Sequence, residues 1–300
     1  MKKIFLGLAL PILSFSTLVG CEKKPSQTIL ETDTYTMYRD VSYGNHIRHR
    51  YDICFPKENK KPNGLLLYIH GGGWVAGDKE GYQQEIVNTA TTHHFVTAAM
   101  NYRYVNYKSI HCGEIMDDIL NCVSHIKNLA KQNDLELNKM ITTGGSAGGH
   151  LSLLYAYKMK VKSEITPVAV ISYCGITDFT DPNFYNLENK DWQKKITSML
   201  EKASGQKLQD GINDQEREKL LDISPINFVD ENTVPTILAH GEKDNVVPFS
   251  NAVKLNEKLC NFGVKCDFIN YPNSGHELGF DSDKAATTAQ KAIEYYEYLN

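Results

Sequence analysis

Three side chains in this sequence, Ser146, Asp244 and His276, have the types and the chain order that acyl-transfer chemistry needs. Ser146 lies in Gly144-Gly145-Ser146-Ala147-Gly148-Gly149-His150, after a short apolar segment, Met140-Ile141, and before a stretch that reads as a helix, Leu151-Ser152-Leu153-Leu154-Tyr155-Ala156. A serine between glycines at a strand-to-helix junction is the nucleophile-elbow pattern. The glycines are a matter of space. The turn is strained, and a bulky residue two positions from the serine would strike the flanking strand or helix. The hydroxyl is pushed out at the helix N-terminus, where the dipole favours developing negative charge.

A second cluster is His70-Gly71-Gly72-Gly73-Trp74, directly after the apolar run Gly64-Leu65-Leu66-Leu67-Tyr68-Ile69. Three glycines at the C-terminal end of a strand add nothing to a sheet, but they let backbone N–H groups approach a ligand closely. The amides of Gly72 and Gly73, with that of Ala147, are expected to form an oxyanion hole. A serine hydroxyl at its ordinary pKa is a poor nucleophile and needs a base to take its proton and return one to the leaving group. His276, in Ser274-Gly275-His276, fits that role, and Asp244, in His240-Gly241-Glu242-Lys243-Asp244-Asn245-Val246-Val247-Pro248, would fix its tautomer. Glu242 and Asp178 are rival acids. His240 and His150 are rival bases, but neither follows the last strand, and His150 reads as packing beneath the elbow.

The elements that must carry these groups follow from periodicity. Two extended segments within 35–55 flank the turn signal Gly44-Asn45 and read as a hairpin, with His46 and His49 as solvated hairpin residues. Apolar runs at 64–70, 95–100, 167–173, 234–240 and 265–271, with the segment before the elbow, complete eight strand candidates, alternating with helices from the third onward. The segment 114–131 carries Ile115, Ile119, Val123, Ile126 and Leu129 at spacings of three and four, an amphipathic helix. Arg103 could pair with Asp117 or Asp118 on its first turns. The special residues then fall at the C-terminal ends of four strands, where open α/β sheets place ligands. The segment 176–227 breaks the alternation, is too long for a simple connection, and reads as a cap over the serine that selects the substrate.

Composition narrows the function further. A chain of 300 residues with 41% hydrophobic content can bury one substantial core. Its formal net charge of −4, with no basic block beyond Lys2-Lys3 and Lys23-Lys24, argues against a nucleic-acid partner. P-loop, dinucleotide and His-Glu-x-x-His patterns are absent, so no metal or organic cofactor is expected. Lys2-Lys3, the apolar run 4–20 and then Cys21 have the layout of a secretory leader. Residues 21–34 read as a tether and 35–300 as the catalytic domain. Of the six remaining cysteines, only Cys260 and Cys266 are spaced for a bridge, and buried thiols are the simpler expectation.

These motifs, together with Asn101-Tyr102-Arg103, resemble the α/β-hydrolases related to hormone-sensitive lipase, and more narrowly bacterial carboxylesterases of the feruloyl- or acetylxylan-esterase type. The resemblance covers about residues 35–299 and implies an α/β-hydrolase fold, which agrees with the strand count of a mostly parallel eight-stranded sheet with helices on both faces; the region after Gly175, read as a cap after the sixth strand, departs from the family's pattern. It implies Ser146 as nucleophile, His276 as base and Asp244 as acid, acting on short acyl or aryl-acyl esters, including those on polysaccharides. Amide, peptide or arylformamide hydrolysis remains open at this point, as does a non-catalytic surface-binding module. Leu18-Val19-Gly20-Cys21 resembles a bacterial lipobox, which implies lipidation at Cys21 and an exported protein anchored to a membrane on its extracytoplasmic side.

Overall fold

The computed structural model describes residues 26–57, 62, 64–185, 190–208 and 214–299. The leader 1–20, Cys21 and the start of the expected tether lie outside the described residues. Nine strands form one mixed sheet in the order β1-β2-β3-β5-β4-β6-β7-β8-β9. The first three, β1 (Thr28–Glu31), β2 (Tyr35–Ser42) and β3 (Arg50–Pro56), are antiparallel, and β3 also pairs antiparallel with β5 (Val96–Met100). From there the sheet is parallel through β4 (Gly64–Ile69), β6 (Lys139–Gly145), β7 (Thr166–Tyr173), β8 (Thr236–Gly241) and β9 (Cys266–Tyr271).

The sheet therefore has nine strands where the sequence suggests eight. The extra one, Thr28-Ile29-Leu30-Glu31, falls in the stretch expected as a tether. All four of its residues are exposed on the sheet's edge, so it has no alternation of buried and exposed positions to betray it. It is held by its ladder with β2, from Thr28 opposite Arg39 to Glu31 opposite Thr36.

The continuous apolar run of β4 is explained by its two covered faces. Leu65, Leu67 and Ile69 enter the layer shared with α2 (Cys112–Gln132) and α3 (Ala147–Lys158). Leu66 and Tyr68 enter the opposite layer, with Ile86 of α1 (Gln83–His93) and Ala292 and Tyr295 of α7 (Ser282–Tyr296). Helix α2 buries Ile115, Met116, Ile119, Cys122, Val123, Ile126 and Ala130, the stripe its spacing predicts. Helix α6 (Ser250–Asn261) adds Leu255 and Leu259 to a third cluster with Leu153, Val170 and Leu238.

Between β7 and β8 the chain carries α4 (Lys190–Ser204) and α5 (Asp214–Asp222). Arg103 pairs with Asp118, donating from Nε and Nη2, while its own backbone N–H donates to the same carboxylate at 2.9 Å. His49 departs from its expected solvated role: its ring stacks on Tyr43 at 4.8 Å, and Nε2 lies 3.2 Å from Asp118. The described cysteines are all free thiols, Cys260 and Cys266 included.

Candidate active site

The turn between β6 and α3 holds Ser146 at φ 56°, ψ −122°. A left-handed φ in a residue with a side chain costs on the order of 1–3 kcal/mol and persists only where the surroundings dictate it. Here they do. A Cβ on Gly148 or on Gly144 would run into the Ile69 carbonyl at the end of β4, and one on Gly149 would stand 2.7 Å from Ser172 Oγ on β7. Helix α3 thus enters pressed against two neighbouring strands, and only glycine fits on that face. The Ser146 amide donates to the Tyr173 carbonyl at 2.7 Å, and the Ser146 carbonyl accepts from His150 N–H at 3.0 Å.

The turn after β4 is built in a similar way. Gly72 and Gly73 have φ of 101° and 58°, and a Cβ on Gly72 would strike the Ala76 carbonyl. The hydrogen bonds of this turn run from the amides of Val75 and Ala76 to the Gly72 carbonyl at 3.1 and 3.0 Å, so the turn does not use the amides of Gly72 and Gly73. Trp74, fully buried, donates from Nε1 to His150 Nδ1 at 3.1 Å, and the opposite ring nitrogen of His150 donates to the Ile223 carbonyl at 2.8 Å. His150 therefore bridges the glycine loop, α3 and the segment after α5. Burial lowers its pKa to about 4, so it stays neutral.

His70 is also neutral. Burial, reinforced by the adjacent Arg48 guanidinium, lowers its pKa to about 4. Arg48 reads in the sequence as a solvated hairpin residue, yet it laces this loop together. It donates to the Tyr102 carbonyl at 2.8 Å, the Gly77 carbonyl at 3.0 Å and His70 Nε2 at 3.1 Å, and lies 3.8 Å over the Tyr104 ring.

Beyond the ends of β8 and β9 the acid and the base meet. His276 Nδ1 donates to Asp244 Oδ2 at 2.7 Å. The other carboxylate oxygen accepts the amides of Val246 and Val247 at 2.8 and 2.9 Å. Burial raises the Asp244 carboxyl, but His240 first and then His276, through hydrogen bonding and charge, hold it well below the usual carboxylate range. The rival acids lie elsewhere: Glu242 accepts from Asn270, and Asp178 accepts from Thr180 and faces Lys254. Cys174, His240 and Asp244 bring a sulfur, a ring nitrogen and a carboxylate oxygen within 4.8 Å of one another, a donor set of the kind metals use. Burial and the Asp244 charge push the Cys174 thiol well up, so as a free group it keeps its proton.

These pieces converge on one cavity. Ser146, Ala147, Gly73 and Trp74 form its floor, and Val246 and Val247, next to Asp244, form one wall. Its roof comes from Ile176 and from Ile196, Met199 and Leu200 of α4. The cavity measures about 30 Å³, and Met199 crowds Gly73 so closely that a Cβ there would lie 2.5 Å from its sulfur. Of the residues singled out in the sequence, Ser146, Ala147 and Gly73 share this lining and Gly72 does not; Asp244 and His276 meet each other, and the Asp244 loop reaches the cavity through Val246 and Val247. Cys21 lies outside the described residues. The apolar roof residues were not legible individually, because any apolar stretch of α4 would read alike.

A mixed sheet with helices on both faces and a serine turn between a central strand and its helix defines an α/β-hydrolase. The BD-FAE family profile matches residues 51–259, and the chain belongs to that family. Among curated proteins it is 24% identical over 277 residues to "Esterase LipC" of Mycobacterium tuberculosis, covering 89% of this chain. It is 24% identical over 278 residues to "Probable carboxylic ester hydrolase LipM" of the same organism, covering 87% of this chain. The chain spans 65% and 60% of the lengths of these two relatives. Among solved structures, "Truncated form of carbohydrate esterase from gut microbiota" superposes with a TM-score of 0.69 at 22% identity, over 91% of this chain and 99% of that one.

Proposed function

We propose that the protein is a serine carboxylic-ester hydrolase that works through an acyl-enzyme on esters with a short acyl group. The observation that carries this reading is the hydrogen-bonded Asp244–His276 pair on the loops after β8 and β9, with Val246 and Val247 of the Asp244 loop lining the same small cavity as Ser146. The names of two relatives, "Esterase LipC" and "Probable carboxylic ester hydrolase LipM", support it.

In the mechanism, His276 takes the Ser146 proton as the hydroxyl attacks the ester carbonyl, and returns it to the departing alcohol. Asp244 holds the proton on Nδ1, leaving Nε2 free to act as base, and stabilises the imidazolium that forms. The amides of Gly72, Gly73 and Ala147 receive the oxyanion, each worth about 3 kcal/mol in the transition state. Water then attacks the acyl-enzyme along the same path. A cavity of about 30 Å³ has room for a group of two or three heavy atoms and favours acetyl over longer acyl chains.

We further propose that residues 1–20 are an export leader and Cys21 the lipidated residue, so that the enzyme works at an extracytoplasmic surface on acetyl groups carried by polysaccharides. Incorporation of labelled palmitate into the wild type but not into Cys21→Ser tests the anchor. The enzyme is tested with p-nitrophenyl esters of graded acyl length, acetylated and feruloylated xylan, and a fluorophosphonate probe. Turnover and labelling that vanish in Ser146→Ala are expected. An unlabelled wild type that hydrolyses no ester, or one that prefers aminoacyl anilides, defeats the reading.

A further inference from the structure

We propose that His240 is a positioning residue, whose Nε2–H spans the Val247 carbonyl and the Asp244 carboxylate and so holds the acid where His276 meets it. The proposal rests on the reading of Ser146, His276 and Asp244 as one hydrolytic site. His240 is the penultimate residue of β8 and is buried, with its ring against Phe249 at a centroid distance of 5.9 Å. Its Nε2 lies 3.0 Å from the Val247 carbonyl, the better-aligned acceptor, and 3.2 Å from Asp244 Oδ2. A carbonyl and an ionised carboxylate can only accept, so Nε2 carries the proton and His240 is a donor to both. It is not a second base.

The geometry around Asp244 gives that proton a specific task. Oδ1 is taken by the amides of Val246 and Val247, and Oδ2 by His276. The remaining approach to Oδ2 is filled by His240, from the strand beneath. Rotation of the carboxylate about its own axis would break contacts on both oxygens together. Because Val247 lines the cavity, the same ring also fixes the wall that the acid's loop presents to substrate. Cys174, at φ 49° just beyond β7, brings a protonated thiol to the cluster. The groups facing Asp244 are therefore His240 from β8, His276 from the loop after β9 and Cys174 from the end of β7. Glu277 is the further charge acting on Cys174.

Removing the His240 donor leaves the Asp244 charge less dispersed and so stabilises the His276 imidazolium more. More of the base is then protonated at a given pH, and the acid limb of kcat/KM moves to higher pH. A phenylalanine at 240 fills the space without a donor, whereas a glutamine side-chain amide keeps one. His240→Phe is expected to lower kcat by about tenfold, typical of losing a hydrogen bond to a charged group, and to shift the acid limb upward. His240→Gln is expected to restore both. Wild-type kcat and an unmoved limb in His240→Phe would overturn the inference.

If His240→Phe does not fold, ¹⁵N NMR of the ring nitrogens in the unaltered protein decides the matter. A protonated Nε2 on His240 across the active pH range supports the role, and a bare Nε2 defeats it. A wild type with neither ester turnover nor labelling at Ser146 defeats the hydrolase reading itself. An active wild type with an indifferent His240→Phe defeats only the role of His240.

Discussion

The floor of the cavity, formed by the turns leaving β4 and β6, is fixed by backbone collisions and buried polar bonds. The roof, formed by Ile176 and by α4, reaches the cavity through apolar side chains, Ile196, Met199 and Leu200 among them. On the floor, one atom added to Gly148 strikes a carbonyl, and Trp74 is held by its bond to His150, whose opposite ring nitrogen is bonded to the Ile223 carbonyl. On the roof, the contacting atoms are methyl groups and a thioether, which other apolar side chains of similar volume can replace. A position that must deliver one atom to one place is constrained in type. A position that only fills space is constrained in volume. Chemistry is therefore built into the floor, and acyl-chain size can be set in the roof.

The sharpest way to break this contrast is to remove the nucleophile. Ser146→Ala is expected to lower kcat by roughly 10⁶, and Asp244→Asn by roughly 10⁴, in steady-state assays with a p-nitrophenyl ester. A loss under tenfold for Asp244→Asn would move the acid elsewhere.

The mechanical tightness of the floor is tested by Gly148→Ala, where overpacking against the Ile69 carbonyl should cost about 3 kcal/mol of stability in urea unfolding. A protein of unchanged midpoint would show that the elbow is not tight.

A pH test follows from the two buried neutral histidines. His70 and His150 have pKa values lowered to about 4, against 6.5 in the unfolded chain. The unfolded state therefore binds more protons below about pH 6.5, and stability, complete above that pH, drains away as pH falls towards 4. Each histidine contributes up to about 3 kcal/mol to that loss. Urea midpoints at pH 7.5, 5.5 and 4.5 measure it, and His150→Gln should flatten the slope.

The smallest effect belongs to the roof. Met199→Ala should leave acetyl-ester turnover within a few-fold while raising the hexanoyl-to-acetyl ratio of kcat/KM by about tenfold, the scale set by a few buried methylenes. An unchanged acyl-length profile would mean that α4 does not choose the substrate.

The same contrast explains what the sequence could reveal. The glycines around Ser146 and at 71–73, the strand run 64–69 and the helix stripe from Ile115 to Ile126 were readable because sterics and periodicity leave few alternatives at each. β1 was not, because an edge strand exposed on every residue has no pattern to distinguish it from a tether. His49 reads as a solvated hairpin residue because its partner, Asp118, lies 69 positions away and is brought to it only by the fold. His240 was read as a rival base, since its residue type is plain in the sequence while the two acceptors that make it a donor are not. Arg48 reads as one more solvated hairpin residue for a similar reason, because its acceptors are mostly backbone carbonyls.

The direction of β1 has a consequence for where the enzyme looks. β1 runs antiparallel to β2, β2 to β3, and β3 to the parallel strands, so Thr28 starts at the rim to which those parallel strands deliver their C-terminal ends. Five strand spacings separate β1 from β6, roughly 24 Å at the usual interval. Whatever is joined ahead of Thr28 enters on the same rim as Ser146. Under the anchoring proposed at Cys21, tether and cleft would therefore share one end of the sheet, leaving the opposite rim away from the anchor.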